Sequence, residues 1–207
     1  MLIRKLGIFF AVFALCILSA GTLFAEPQTL IGGKLEDNGG YGGPSYSFST
    51  LNGKSAMFVG GQGGWVANHT ITIGGAGYGL TSNIRGTDLG LNTTNYLSLG
   101  YGGVMVEYII FSDVIVHATV RTLFGWGGVG LYHRGMHTGS TTDVEDTDNG
   151  FFNVIEPSVQ AEVNITNFFR INLGVGYRYI PNLDYEGLKG NALDGLSAHF
   201  VLKFGKF

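Results

Sequence analysis

The sequence predicts an all-β fold: a single eight-stranded antiparallel up-and-down transmembrane β-barrel. Three observations predict it. Two adjoining segments between Ile155 and Tyr179 alternate apolar and polar residues without a break. Charged residues are only 13% of the chain while glycines number 35, a balance that suits a lipid-embedded sheet better than a soluble domain. The connections between alternating segments are short and long in turn, as in barrels with short turns at one end and longer loops at the other.

The alternating pair sets the frame. Ile155, Pro157, Val159, Ala161, Val163 and Ile165 share one face of its first arm, and Glu156, Ser158, Gln160, Glu162 and Asn164 the other. A turn at Thr166, Asn167 and Phe168 leads to the second arm. There Phe169, Ile171, Leu173, Val175, Tyr177 and Tyr179 oppose Arg170, Asn172, Gly174, Gly176 and Arg178. A period of two means strands. Arms of about ten residues match a tilted bilayer crossing. One apolar and one hydrophilic face is what a membrane barrel with a polar lumen requires.

Residues 1–25 read as a secretory signal peptide. Arg4 and Lys5 are its basic start, Leu6 to Leu18 its apolar centre, and Thr22-Leu23-Phe24-Ala25 its cleavage site. The apolar run is too short for a membrane anchor. The only cysteine, Cys16, lies inside it, so the mature chain has neither disulfides nor thiol chemistry. Without Arg4 and Lys5, ten basic residues face 15 acidic ones, a net charge of −5. No basic patch invites nucleic acid. No later apolar run reaches the roughly 18 residues of a membrane helix. A closed barrel is the other structure that satisfies its backbone in lipid.

In chain order, residues 26–39 form a periplasmic lead-in and residues 40–207 the barrel. The first strand is expected over Ser45 to Leu51, with Tyr46 and Phe48 outward. Asn52-Gly53 makes a type I′ hairpin that sets Phe48 opposite Met57. The second strand runs Lys54 to Ala67 and the third Ile71 to Leu80. The fourth, Tyr96 to Ile110, changes parity between Leu97, Leu99, Tyr101 and Val104, Val106, Tyr108, Ile110. A bulge at Gly102-Gly103 would place both sets outward. The fifth spans Val114 to Tyr132, the alternating pair supplies the sixth and seventh, and Leu196 to Phe207 is the eighth. Loops at 81–95, 134–150 and 181–195 are long. Gly60-Gly61-Gln62-Gly63-Gly64 and similar phrases relieve crowding in a lumen only wide enough for side chains.

The leader, the eight alternating segments, the sorted loops and the closing Leu202-Lys203-Phe204-Gly205-Lys206-Phe207 resemble the small outer-membrane β-barrel proteins of Gram-negative bacteria, the OmpA-transmembrane and OmpX-like group. The resemblance implies a monomer in the cell outer membrane among lipid and lipopolysaccharide. It implies Phe207 as a signal to the outer-membrane insertion machinery. Phe207 falls off the outward parity of Leu196, Ala198, Phe200, Leu202 and Phe204, and a bulge at Gly205 would restore it. Members of the group are often structural or adhesive, and a few modify lipids.

The inward face should carry a structural charge network of Glu107, His117, Arg121, Glu156, Glu162, Arg170 and Arg178, because buried charges need partners. With Asn167 central, Glu156 faces Arg178 and Glu162 lies diagonal to Arg170. With Ser112 central, Glu107 faces His117. Gly125-Trp126-Gly127-Gly128-Val129-Gly130 matches a dinucleotide fingerprint by letter, but no helix follows it. His133 and His137 with Asp143, Glu145, Asp146 and Asp148 offer divalent-ion donors without EF-hand spacing. His133, His137 and Ser140 raise an acyl hydrolase acting on lipid A, which needs Ser and His within hydrogen-bond reach and a third group orienting the base. Ser140, however, lies in a glycine-flanked loop, and no outward, rim-placed Ser–His pair stands out on the strands. The expectation is therefore no enzyme, no cofactor and no metal. The function expected is a structural or surface-interaction role with a filled lumen and no general pore. The alternatives are that lipid A hydrolase, or a soluble periplasmic barrel binding an apolar ligand.

Overall fold

A computed structural model describes residues 38–132, 150–185, 187–188 and 191–207. The expected leader, residues 26–37 of the lead-in, and the loop candidates His133, His137, Ser140, Asp143, Glu145, Asp146 and Asp148 lie outside the described residues. The strands are β1 (Asn38–Leu51), β2 (Lys54–Ala67), β3 (Ile71–Leu80), β4 (Tyr96–Ile110), β5 (Val116–Tyr132), β6 (Gly150–Asn164), β7 (Phe169–Arg178), the two-residue β8 (Leu183–Asp184) and β9 (Gly195–Lys206). A 3-10 turn, Gly86–Leu89, lies between β3 and β4.

Strands β1 to β7 and β9 build the barrel, while β8 only extends the edge of β6. Each barrel strand pairs antiparallel with its neighbours, and the contacts β1–β9 and β5–β6 close the sheet. The result is a closed eight-stranded up-and-down barrel. Closure leaves no unpaired strand edge. One end, the turn end, holds the tight connections 68–70, 111–115 and 165–168 together with Asn38 and Lys206. The other, the loop end, holds 52–53 and the long connections.

Local chemistry accounts for the pairing. Asn52 and Gly53 both have positive φ (46° and 79°), the backbone a type I′ hairpin needs. The resulting register sets Phe48 opposite Met57. Between β6 and β7 the turn centres on Asn167, with Ser158 opposite Gly176 and Glu162 opposite Asn172.

Four expectations are corrected. First, β1 begins at Asn38, not Ser45, so the barrel starts two residues before the expected boundary. Its glycines all pair with β2, Gly40 and Gly42 also with β9, and a Cβ at Gly43 would reach 1.8 Å from the Leu202 carbonyl oxygen. Glycine here permits close strand approach rather than breaking the strand. Second, β4 has no bulge. Its register with β3 and β5 is continuous through Gly102 and Gly103. Leu97, Leu99 and Tyr101 therefore point into the lumen, which is apolar at that height. Third, β5 starts at Val116 and the β4–β5 turn is wider than expected, so Glu107 faces Arg121 and not His117. Fourth, β9 runs to Lys206 without a bulge at Gly205, and Phe207 is buried inside.

The wall has opposite chemistry on its two sides. Outside, an apolar band includes Phe48, Trp65, Ile73, Val104, Phe124, Val159, Val175 and Leu196, with Trp126 69% exposed. Inside, Glu107, Arg121, Glu156, Glu162, Arg170, Arg178 and Lys203 are each at most 1% exposed.

Candidate functional site in the lumen

The lumen is layered along the barrel axis. At the turn end, Phe207 stacks on Tyr41 with ring centroids 5.7 Å apart, and the Arg170 guanidinium lies 4.0 Å from the Phe207 centroid. These rings form an aromatic floor. Cation–π contact is strong where water is excluded.

Above the floor sits an ionic cluster drawn from five strands. Lys203 on β9 donates to Glu107 on β4 and Glu162 on β6, each at 2.6 Å. Arg170 on β7 donates to Glu162 at 2.7 Å, and His117 on β5 lies 3.1 Å from the same carboxylate. The second imidazole nitrogen of His117 is 3.1 Å from the Val114 carbonyl oxygen in the turn. Strand parity aims all these side chains inward. Each ion is held from a different strand, so the cluster ties opposite walls together.

The next layer is built on Arg121, which donates to Gln62 and, at 3.0 Å, to the Tyr78 hydroxyl. Tyr78 is 2.9 Å from Ser45 Oγ, and Gln62 donates to the Tyr41 hydroxyl at 3.1 Å. Arg121 Nη2 stands 4.0 Å from Glu156. Glu156 accepts from the Tyr101 hydroxyl at 3.3 Å and from Ser197 at 3.2 Å. Glu156 and Arg178 come into register across β6 and β7, but their side chains part. Arg178 donates to the Leu193 carbonyl at 2.9 Å and to Ser49 and the Thr50 carbonyl at 3.3 Å, with its guanidinium 4.6 Å from the Phe58 centroid.

Above Arg178 the lumen turns apolar. Leu51, Phe58, Leu97, Leu99, Val129, Phe152 and Val154 pack beneath Ile84, Leu89, Ile180 and Leu193 from the connecting segments. Backbone bonds hold this cap down: Asn52 N to Ala192 O at 3.0 Å and Leu97 N to Ile84 O at 2.7 Å.

What this arrangement does chemically is fill space with paired charge. Desolvating an ion costs several kcal/mol unless its partners replace water, and short charge-assisted bonds are the effective replacement. Three carboxylates face four basic side chains here. Among the described residues no group of His, Cys, Asp and Glu is placed to hold a metal ion. One arrangement looks hydrolytic: Ser197 Oγ lies 2.9 Å from His199 Nε2. The Glu156 carboxylate, however, approaches that same Nε2 at 3.8 Å rather than the other ring nitrogen, so it does not orient the base. All three groups are buried.

The seven residues singled out from the sequence all line the lumen; Glu162 and Arg170 meet as the diagonal pair their spacing implies, whereas Glu107, His117, Glu156 and Arg178 have other partners. Sequence reasoning missed Lys203, the hub of the ionic cluster. Its inward parity between Leu202 and Phe204 was the available signal. Gln62, Tyr41, Tyr78 and His199 were missed because polar pairing in the lumen leaves no mark in the alternation, and Tyr101 because its parity group is expected outward.

No protein-family model matches the sequence, and no curated protein matches it. Among solved structures the chain is similar in fold to neisserial surface protein A, with TM-score 0.53 and 10% identity over 84% of this chain and 99% of that one. It is likewise similar to Ail, the attachment invasion locus protein of Yersinia pestis, solved in complex with the heparin analogue sucrose octasulfate. There the TM-score is 0.50 and identity 9%, over 81% of this chain and 97% of that one. At this identity the likeness is one of fold. The chain has the architecture of the small eight-stranded outer-membrane barrels.

Proposed function

We propose that the chain is an integral β-barrel of the bacterial outer membrane with a structural or surface-interaction role carried by its loop end, and with a filled lumen that forms no general pore. One observation carries this reading: the charged side chains of the wall point inward, and its outer face carries a band of exposed apolar side chains. A water-soluble barrel would expose that apolar band to water, at about 25 cal/mol per Å² of apolar surface. In lipid the same band is at home and the enclosed charges satisfy one another. The aromatic floor, the ionic layers and the apolar cap support a sealed interior. The names of neisserial surface protein A and Ail are in keeping with a surface role.

On this reading the turn end faces the periplasm and residues 1–25 direct export. The barrel works as a monomer among outer-membrane lipid and lipopolysaccharide, with no catalytic role, no cofactor and no nucleic-acid partner. Phe207 would be read by the insertion machinery before folding, since its ring is buried in the folded barrel. The test is planar-bilayer recording of the purified barrel. Electrical silence is expected, and sustained open-pore conductance would contradict the filled lumen. Lipid A of unchanged mass in a deletion strain is expected as well, and a changed mass would favour the hydrolase.

A further inference from the structure

The outer face of the loop end carries an arrangement that neither the fold nor the lumen explains. Arg85 bridges Tyr96, and Tyr96 pairs with Tyr132 between β4 and β5. Directly opposed residues share a face of the sheet. The three side chains therefore form one row across the outside of the barrel, at the upper edge of the apolar band. The Arg85 guanidinium lies 5.7 Å from the Tyr96 centroid, and the two tyrosine rings are 6.0 Å apart. Arg85 is exposed. Its neighbour Asp88 accepts from the Arg85 backbone N–H at 3.1 Å and faces Lys54 Nζ at 3.3 Å. Asp88 pairs through its side chain with Lys54, and its bond to Arg85 is to the backbone, so the Arg85 guanidinium lies against the Tyr96 ring rather than on that carboxylate.

Below the row, the wall loses its side chains. Gly77 and Gly79 on β3 lie opposite Gly102 and Gly100 on β4, and Gly100 lies opposite Gly128 on β5. All five have outward parity. Their inward counterparts are required by packing: a Cβ at Gly60, Gly74, Gly103 or Gly125 would come within 1.8, 2.0, 2.1 and 2.1 Å of backbone oxygen. The outward ones differ. A Cβ at Gly77, Gly79, Gly100 or Gly128 would meet nothing nearer than 3.8, 3.9, 3.6 and 3.8 Å, ordinary contact distances, whereas one at Gly102 would come 2.9 Å from the Ala76 oxygen. Glycine is a poor strand former, and at the four open positions the fold does not demand it. Trp126 opposite Gly102 and Phe151 opposite Gly128 flank the resulting trough on one side, and Val59 opposite Gly79 on the other. Gly100 lies four residues down β4 from Tyr96, about 13 Å along the wall.

We propose that this face binds one phosphorylated, multi-acyl lipid of the outer leaflet, with its phosphate against Arg85 beside Tyr96 and Tyr132 and its acyl chains in the trough over β3, β4 and β5. The inference rests on the membrane reading above and names the lipid site within it. Charge complementarity selects the occupant. Apart from Lys54 and Lys206 at strand ends, no described charged side chain on the strands faces outward, and Lys54 is paired with Asp88, so a phosphate at this height meets Arg85. Arginine suits phosphate because its fork donates two parallel hydrogen bonds.

The test reconstitutes the barrel in phosphatidylcholine vesicles containing bisphosphorylated lipid A, or the same lipid with its phosphates removed. Native mass spectrometry then counts the lipid A retained per barrel. The wild type should retain the phosphorylated form at least fivefold more than the dephosphorylated one. R85Q should abolish that preference, and the double variant G79L/G100L should lower retention of both forms at least fivefold. K206Q, at the opposite end, should change neither. A wild type without phosphate preference, or an R85Q variant that keeps it, overturns the proposal. R85Q alters an exposed side chain outside the barrel strands, so it decides the matter even if the leucine pair fails to fold. A heat-shift gel on each sample separates the two levels of the argument: a wild type that never folds in vesicles would overturn the membrane reading itself.

Discussion

Lys203 is the residue on which the lower lumen depends. It holds Glu107 and Glu162 together, each at 2.6 Å, in full burial. Lys203→Met would leave two carboxylates facing each other with one fewer cation. Breaking such a buried pair costs about 3–5 kcal/mol, so the urea midpoint of the refolded barrel should fall well below that of the wild type. An unchanged midpoint would mean that water, not the cluster, carries these charges. The glycines allow a paired test of the wall. Gly74→Ala drives a Cβ to 2.0 Å from the Gly63 oxygen and should destabilise by about 1–3 kcal/mol, as overpacking does. Gly79→Ala meets only open contact and should be neutral or stabilising by up to about 1 kcal/mol through the unfolded chain. Equal effects in a urea titration would contradict the distinction between inward and outward glycines. Lys203 was legible in the sequence by parity. Its two partners were not, because spacing along a strand does not tell which strands meet across a closed lumen.

At the scale of single elements, the β1–β2 hairpin and the connecting turn before β4 make their own predictions. Gly53 has φ of 79°, a conformation that costs a side-chain-bearing residue about 1–2 kcal/mol. Gly53→Val should lower refolding yield and stability by that order, read from the fraction that resists unboiled detergent. The 3-10 turn Gly86–Leu89 is clamped through Asp88. Its carboxylate is held below the usual range first by the hydrogen bond from the Arg85 backbone N–H and then by Lys54. A carboxyl depressed by folding stabilises above its unfolded pKa, and that contribution is lost as pH falls through the folded value. Protection of residues 81–95 from hydrogen exchange, relative to the intrinsic rate at each pH, should therefore hold at neutral pH and fall only in acid below the ordinary carboxylate range. Protection already lost at pH 5–6 would show that the clamp is not the Asp88 charge. Strand β4 shows where reading an element from sequence stops. Its alternation marks two faces but not which one meets lipid. Apolar character alone puts Leu97, Leu99 and Tyr101 outward, whereas the upper lumen is itself apolar and receives the two leucines, and the Tyr101 hydroxyl reaches Glu156 just below. The β4–β5 register slipped for a related reason: turn residues at 111–113 gave no sign that the connection extends to 115.

At the scale of the whole molecule, the architecture was legible. Eight alternating segments, sorted connections and the Asn52-Gly53 turn were enough to count the strands and orient most of them. Closure then follows, since the β1–β9 and β5–β6 ladders leave no free edge. Side-chain partners were only partly legible: the Glu162–Arg170 contact within one hairpin follows from spacing, whereas the contacts of Lys203 with Glu107 and Glu162 join strands that meet only across the closed lumen. The central claim is that this wall turns its apolar side to lipid and seals its charges within. A heat-modifiability gel on the outer-membrane fraction tests it most directly, with the protein extracted in detergent and run with and without boiling. The account predicts recovery in that fraction and a change of mobility only on boiling, because a closed ladder and a paired interior keep the barrel folded in detergent. Recovery in the soluble periplasmic fraction, with identical mobility in both lanes, would contradict it.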